Sequence, residues 1–152
     1  MIIKQALISW PHLASPSTKF NADGTYEVLA EVSDADATTL REKGITVKSE
    51  DGKNTTTFRK KAKNKKGEDM SRPQVVHADL SELSTNEMRS IGNGTECNIR
   101  LRFYDWTFNG RSGTSAVLEG IQITKLVAYE QGAAEEFTAV EVNAEQADNG
   151  MY

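Results

Sequence analysis

The chain has 152 residues, 38% of them hydrophobic, and a formal net charge of −4. This length and apolar content suit a single folded domain that buries about two thirds of its unfolded surface. One cysteine and two histidines exclude a disulfide framework and disfavour a structural zinc site, so neither a metal nor another cofactor is expected.

The sequence shows neither a membrane span nor a secretion signal. No apolar run approaches the ~20 residues of a membrane-spanning helix, and residues 1–4 lack the apolar core of a signal peptide. We therefore expect a soluble cytosolic protein that does not associate with membranes.

The charge is distributed unevenly along the chain. From residue 130 onward there are six acidic residues and no Lys or Arg, whereas residues 1–129 hold 18 basic and 16 acidic groups, a charge of +2. The acidic segment has too little apolar content to fold alone. We predict a folded domain at residues 1–131 and an acidic tail at residues 132–152 that is disordered unless a partner binds it.

The chain opens with two predicted strands. Residues 2–10 alternate loosely between apolar and polar, and Pro11 ends this pattern, so residues 12–19 are predicted to be a loop. Residues 25–32 place four apolar side chains on one face and two glutamates on the other, which is typical of a half-buried strand.

A short helix is predicted next. Ser33 or Asp34 caps its start, and Gly44 ends it after Lys43. Residues 45–47 are a candidate strand fragment, and residues 50–54 have the composition of a turn.

Residues 55–63 predict a strand with a cationic face. Arg59, Lys61 and Lys63 form a row about 6–7 Å apart, comparable to the spacing of phosphates along an extended nucleic-acid strand. Residues 53–66 contain seven cations and no acid, although such a run is also typical of a solvated surface. The candidate nucleic-acid-binding residues here are Arg59, Lys60, Lys61, Lys63, Lys65 and Lys66, of which Lys65 and Lys66 would add long-range attraction more than fixed contacts.

Two small elements separate this strand from the next long one. Residues 73–79 predict a short buried strand. Ser84 and Glu87 have the spacing of a capping box and predict a helix of about two turns. Residues 92–94 are then predicted to be a turn.

The most informative stretch is a predicted hairpin at residues 95–129, with Asn109 and Gly110 at its turn. Side chains alternate across a strand, so Cys97, Ile99, Leu101 and Phe103 share a face suited to a core. The opposite face combines cations with flat rings, as in proteins that bind single-stranded nucleic acids. Its candidate binding residues are Arg100, Arg102, Tyr104, Trp106 and Phe108, with Arg111 beyond the turn.

A second interpretation of the same strand remains open. A β-bulge near Tyr104 would turn the three rings inward, where they would form another core layer. In the second arm, Gly120 marks a bend.

The element pattern predicts a mainly β protein. About five strands, one or two short helices and no strand–helix–strand regularity favour an OB-fold, which is a five-stranded, partly open barrel. A β-sandwich is the alternative.

Catalytic motifs are scarce. No glycine-rich phosphate loop is present. The only candidate metal cluster is Glu68, Asp69, His77 and Asp79, and each of these has a plain structural role in a loop or strand. We therefore predict a protein that is not an enzyme, with Cys97 as an inert core thiol.

Three segments resemble the single-stranded DNA-binding proteins of tailed phages, and most closely the type encoded by short-tailed lytic coliphages. They are residues 26–32, residues 54–61 with their Thr-Thr-Thr-Phe run, and residues 91–129 followed by glycine and acids. The opening Ile8-Ser9-Trp10-Pro11-His12-Leu13 resembles another group of phage proteins annotated for this function.

This resemblance implies an OB-fold that binds single-stranded DNA without sequence preference in replication and recombination, inside the infected bacterium. It also implies a tail that contacts phage or host replication proteins and competes with DNA for the groove. The tail residues are Glu135, Glu136, Glu141, Glu145, Asp148 and the terminal aromatic Tyr152. This tail is less acidic, and the segment between residues 32 and 55 shorter, than in the best-known members. Partner choice and homodimer formation therefore stay open, as do a β-rich virion or assembly protein and a metal-dependent nuclease.

Overall fold

A computed structural model describes residues 1–19 and 21–129. Its elements are β1 (Ile2–Ser17), β2 (Thr25–Val32), α1 (Asp34–Glu42), β3 (Lys48–Glu50), β4 (Lys53–Lys61), β5 (Gln74–Val76), α2 (Thr85–Arg89), β6 (Thr95–Phe108) and β7 (Arg111–Lys125). The acidic tail predicted at residues 132–152 lies outside the described residues.

Five of the strands form a barrel. β2 pairs with β1 and β4, β1 pairs with β6, and β6 pairs with β7, all antiparallel. A parallel bridge between Arg59 of β4 and Val117 of β7 closes the ring. The two short strands extend the sheet, with β3 along β4 and β5 along β7. The predicted five-stranded OB-fold with one or two short helices is confirmed, and there are two such helices in the described residues. The barrel, predicted to be partly open, is closed at this bridge.

The core lies inside the barrel. Each of the five barrel strands contributes buried apolar side chains to it, and α1 adds Ala37 and Leu40. Cys97 lies in this core, where burial raises the pKa of its thiol to about 12. The thiol therefore stays protonated at neutral pH and acts as a small apolar side chain.

The prediction that β1 ends at Trp10 is wrong, because the strand continues to Ser17. The register shifts between Ser9 and His12, and Trp10 has φ 51°. This irregularity is a β-bulge, where a proline costs no ladder hydrogen bond. Pro11 therefore lies within the strand, and the Trp10 N–H donates instead to Asn93 Oδ1 at 2.8 Å.

The observed ends of β3 and β4 also differ from the predicted ones. Residues 45–47 are not a strand, and β3 begins at Lys48. Asp51 and Gly52 have φ values of 54° and 75°, which suit a tight hairpin turn. Because this turn is short, β4 begins at Lys53 and ends at Lys61, two residues earlier at each end than predicted.

Both helix starts are confirmed. Ser33 Oγ accepts a hydrogen bond from the Asp36 N–H at 3.1 Å. Ser84 and Glu87 form the predicted capping box, in which each side chain accepts from the other residue's backbone N–H. The helices are short, and no helix among the described residues is long and apolar enough to cross a membrane.

The hairpin of β6 and β7 is confirmed, and its ladder is unbroken from Leu101 to Phe108. A bulge at Glu119, beside Gly120, lies further along β7. The interpretation in which a bulge near Tyr104 turns the rings inward is therefore wrong. Tyr104, Trp106 and Phe108 are 43%, 39% and 69% exposed.

The outer part of this hairpin extends past the barrel. From the Tyr104–Ser115 pair to the turn, the two strands pair only with each other in the described part of the chain. We call residues 104–115 the ribbon.

Candidate nucleic-acid interface

A groove of about 920 Å³ lies between β4 and the hairpin of β6 and β7. We call it the main groove. The loop after α1 and Lys48 of β3 also line it. Side chains that line it from β4 and the hairpin include Thr55, Thr57, Arg59, Lys61, Arg102, Tyr104, Ser115 and Val117.

One wall of the main groove follows from the alternation of β4. Phe58 is 1% exposed and points into the barrel. Its neighbours Thr57 and Arg59 therefore point outward, as does Lys61 two residues further on. On β2, Thr25 pairs with Lys61 and Glu27 pairs with Arg59, so polar side chains continue across this outer face.

The position of the opposite wall of the main groove, on the hairpin of β6 and β7, follows from the closure of the barrel. Val117 pairs with Arg102 on one side and with Arg59 on the other. Arg59 and Arg102 are therefore separated by about two strand spacings, roughly 10 Å. Tyr104 follows on the same face as Arg102, so two cationic strands and an exposed ring share one surface.

Two carboxylates lie among these cations. Glu27 Oε1 is 3.3 Å from Arg59 Nε, and Glu119 Oε2 is 3.6 Å from Arg102 Nε. Both pairs are partly exposed, so each holds its arginine in place without contributing much stability. An anion that bound either arginine would have to compete with its carboxylate. No sequence pattern indicated Glu119, because its position depends on the bulge in β7.

The lysines predicted with Arg59 have different surroundings. Lys60 and Lys61 both line the main groove, but only Lys61 is exposed. The Lys60 side chain is 10% exposed, and its Nζ donates to Ser71 Oγ at 3.1 Å. Lys63 lies beyond the end of β4 and pairs with Asp69 at 2.6 Å, a hydrogen bond that raises the pKa of Lys63. The predicted three-residue row therefore ends at Lys61. Lys65 and Lys66 are exposed in the following loop, outside the groove.

Arg100 does not join Arg102 in the main groove. Its Nη2 is 3.4 Å from Gln74 Oε1. It lines a smaller concavity of about 310 Å³ near Gly120. The bulge at Glu119 and the pairing of β5 with β7 separate the surroundings of the two arginines.

The remaining predicted residues lie on the ribbon and do not line the main groove. Trp106 pairs with Gly113, and Phe108 pairs with Arg111 at the turn. A Cβ added at Gly113 would lie 2.6 Å from Trp106 Cζ2, so the indole lies directly on this glycine. Sequence reasoning missed Gly113, although counting back from the Asn-Gly turn places it opposite Trp106.

The four residues considered for a metal site each have another partner. Asp69 binds Lys63, and Glu68 accepts from Asn64. His77 pairs with Glu87, and Asp79 accepts from Ser81. Within residues 1–19 and 21–129, no three His, Cys, Asp or Glu side chains are grouped so that they could hold a metal ion.

The opening segment with Trp10 lies elsewhere. It lines a second groove of about 540 Å³ together with residues near α2 and Tyr129. Like the main groove, this second groove exposes aromatic surface. It is less cationic than the main groove, because Arg89 is the one Lys or Arg among the residues that line it.

Among the solved structures that resemble the chain are three of phage proteins. Two are of the single-stranded DNA-binding protein of bacteriophage Enc34. Its C-terminal truncation has a TM-score of 0.62 and 17% identity, and the match covers 82% of this chain and 84% of that one. Its complex with single-stranded DNA has a TM-score of 0.61 and 15% identity, with 82% and 85% covered. The third is gp2.5, a single-stranded DNA-binding protein encoded by bacteriophage T7 (0.55, 16%, 84% and 92%). No protein-family model matches the chain, and no curated protein matches its sequence. At these identities the likeness establishes the fold.

Proposed function

We propose that residues 1–131 form a domain that binds single-stranded DNA with little sequence preference and coats it during phage replication and recombination. The observation that carries this proposal is the main groove, which brings Arg59 and Lys61 together with Arg102 and Tyr104. Cations bind phosphates, and an exposed ring can stack on any base. In OB-folds this face and its flanking loops bind oligonucleotides. A fold neighbour in complex with single-stranded DNA adds support.

The proposed activity is stoichiometric binding in the cytoplasm of the infected bacterium, not catalysis. The exposure of the three aromatic rings favours binding over the alternative of a virion or assembly protein, in which this strand would be core. The separate partners of Glu68, Asp69, His77 and Asp79 give no support to a metal-dependent nuclease.

Titration with oligo-dT tests the proposal. An oligonucleotide longer than the ~4–16 nucleotides that one OB-fold covers should quench tryptophan emission and bind at low salt. A duplex of matched length is the control and should bind more weakly, because its bases are not free to stack. Absence of binding at low salt, or equal binding of the duplex, would contradict the proposal.

Trp106→Ala should weaken oligo-dT binding by about 1–3 kcal/mol through the loss of stacking. The melting temperature should change little, because the indole lies on the surface of the ribbon and not in the core. Trp10→Ala is the matched control: it also removes an exposed indole, but one that lines the second groove and lies outside both the main groove and the ribbon, and it should leave affinity unchanged. A large drop in stability with unchanged affinity would show that Trp106 has a structural role.

We further propose that the acidic tail competes with DNA for the main groove. Deleting residues 133–152 removes five acids and changes the net charge from −4 to +1. A tethered tail has an effective concentration of millimolar order, so weak attraction is enough for competition. The truncated protein should bind DNA more tightly at low salt, and the advantage should shrink as salt screens both competitors. Equal affinities of the two proteins at low salt would rule out this competition.

The same tail would contact phage or host replication proteins through Tyr152 once DNA has displaced it. A tail that only aids solubility would not bind such partners. Pull-down of replication proteins by full-length protein, with and without oligo-dT, distinguishes these roles.

A further inference from the structure

Gly113 is an unexpected residue within a long strand, two residues after the start of β7 at Arg111. It lies inside β7, and its φ is not in the left-handed range that glycine alone adopts readily. Glycine weakens a strand, and within strands it often marks a close approach of another group. The contacts of Gly113, and not its backbone conformation, therefore explain why a glycine occupies this position.

The contact is with the indole of Trp106. A Cβ at position 113 would lie 2.6 Å from Cζ2, 2.9 Å from Cε2 and 3.3 Å from Nε1. These atoms span both rings of the indole, so the ring system lies across the backbone of Gly113. Any side chain at position 113 would occupy the space that the indole now fills.

We propose that Gly113 is a positioning residue that presents Trp106 as a stacking platform for nucleotides leaving the main groove. With one side of the indole covered by β7, the side chain is held and still 39% exposed. This inference rests on the proposed function and adds a second subsite to it, on the ribbon.

The ribbon has the geometry of such a subsite. Tyr104, Trp106 and Phe108 share one face, about 6–7 Å apart along β6. Their cross-strand partners are Ser115, Gly113 and Arg111. The first two are small and leave the rings accessible, and Arg111 adds a cation at the end. Only Tyr104 also lines the main groove, so the rings continue the interface beyond it.

Two consequences follow. A short oligonucleotide that fills the main groove should not depend on Trp106, whereas a longer one that reaches the ribbon should. Gly113→Ala should move the indole without unfolding the protein, because the displaced atoms belong to the end of a flexible side chain and alanine suits a strand better than glycine.

The experiment uses the full chain with Trp10→Phe, so that Trp106 is the only tryptophan. Gly113→Ala is compared with Ser112→Ala, a matched change at the neighbouring position, which faces the other side of the ribbon. The measurements are melting temperature, acrylamide quenching of Trp106 without DNA, and affinity for short and long oligo-dT. Gly113→Ala and Ser112→Ala are also introduced with Trp106→Ala.

Gly113→Ala should increase acrylamide quenching and weaken binding of long oligo-dT by roughly fivefold or more, with short oligo-dT and melting temperature unaffected. Ser112→Ala should change none of these. With Trp106→Ala present, Gly113→Ala should have no further effect, because both changes act through the same ring.

Unchanged quenching and unchanged affinity in Gly113→Ala would overturn the inference. An equal loss of affinity with and without Trp106 would also overturn it, since Gly113 would then act through the ribbon backbone. If the parent protein binds no oligo-dT, the proposed function fails, whereas normal binding by both the parent and Gly113→Ala refutes this inference alone.

Discussion

Raising the salt concentration tenfold should weaken oligo-dT binding about 10³-fold, because about four neutralised phosphates give a log–log slope of roughly −3 for a single strand. The estimate of four comes from the exposed cations that line the main groove. These are Lys48, Arg59, Lys61 and Arg102. Fluorescence anisotropy at several salt concentrations measures the slope directly.

Two arginines of β6, one inside the main groove and one outside it, test whether the main groove holds the phosphates. Arg102→Ala removes one groove cation and should make the slope shallower by about 0.7–1. Arg100→Ala removes a cation from the same strand, but from the smaller concavity beside Gln74, and should leave the slope unchanged. A slope near zero, or equal changes in the two variants, would show that the main groove does not hold the phosphates.

Phe58→Ala should lower the free energy of unfolding by about 3–5 kcal/mol, since it leaves a cavity in the barrel core. Phe58 is 1% exposed, among the most buried of the large side chains. Arg59→Ala, at the next position of the same strand, should change stability by no more than about 0.5 kcal/mol. Urea unfolding of the two variants measures this difference.

The effects of these two substitutions on DNA binding should have the opposite order, with Arg59→Ala the more damaging. Arg59→Ala removes a proposed phosphate contact and should bind oligo-dT more weakly, while the Phe58→Ala protein that remains folded keeps the surface of the main groove. Affinity is best measured under conditions where the urea curves show both variants folded. If Arg59→Ala destabilised the protein as strongly as Phe58→Ala, the division of β4 into a core face and a binding face would be wrong.

Much of the local structure could be predicted because it depends on neighbouring residues. Alternation fixed the two faces of β2, β4 and β6, and Ser33 and Ser84 marked both helix starts. Asn109 and Gly110 placed the hairpin turn, and both have the positive φ that such a turn needs. The extension of β1 past Pro11 could not be predicted, because a proline at a bulge has the same sequence signature as a proline that ends a strand.

Which residues make up the candidate interface depends on contacts between strands that are far apart in the sequence. Alternation alone predicted that Arg59 and Lys61 lie on the outer face of β4. It left open whether the three rings of β6 face outward or into the core, because a bulge would reverse their side, and the unbroken ladder from Leu101 to Phe108 decides for the outward side. Only the tertiary structure decided which of these residues share a groove. The bridge from Arg59 to Val117 brings β4 to the hairpin, and the bulge at Glu119 separates Arg100 from Arg102. Barrel closure and strand register depend on contacts between residues far apart in the chain, and the periodicity of a single strand does not encode them.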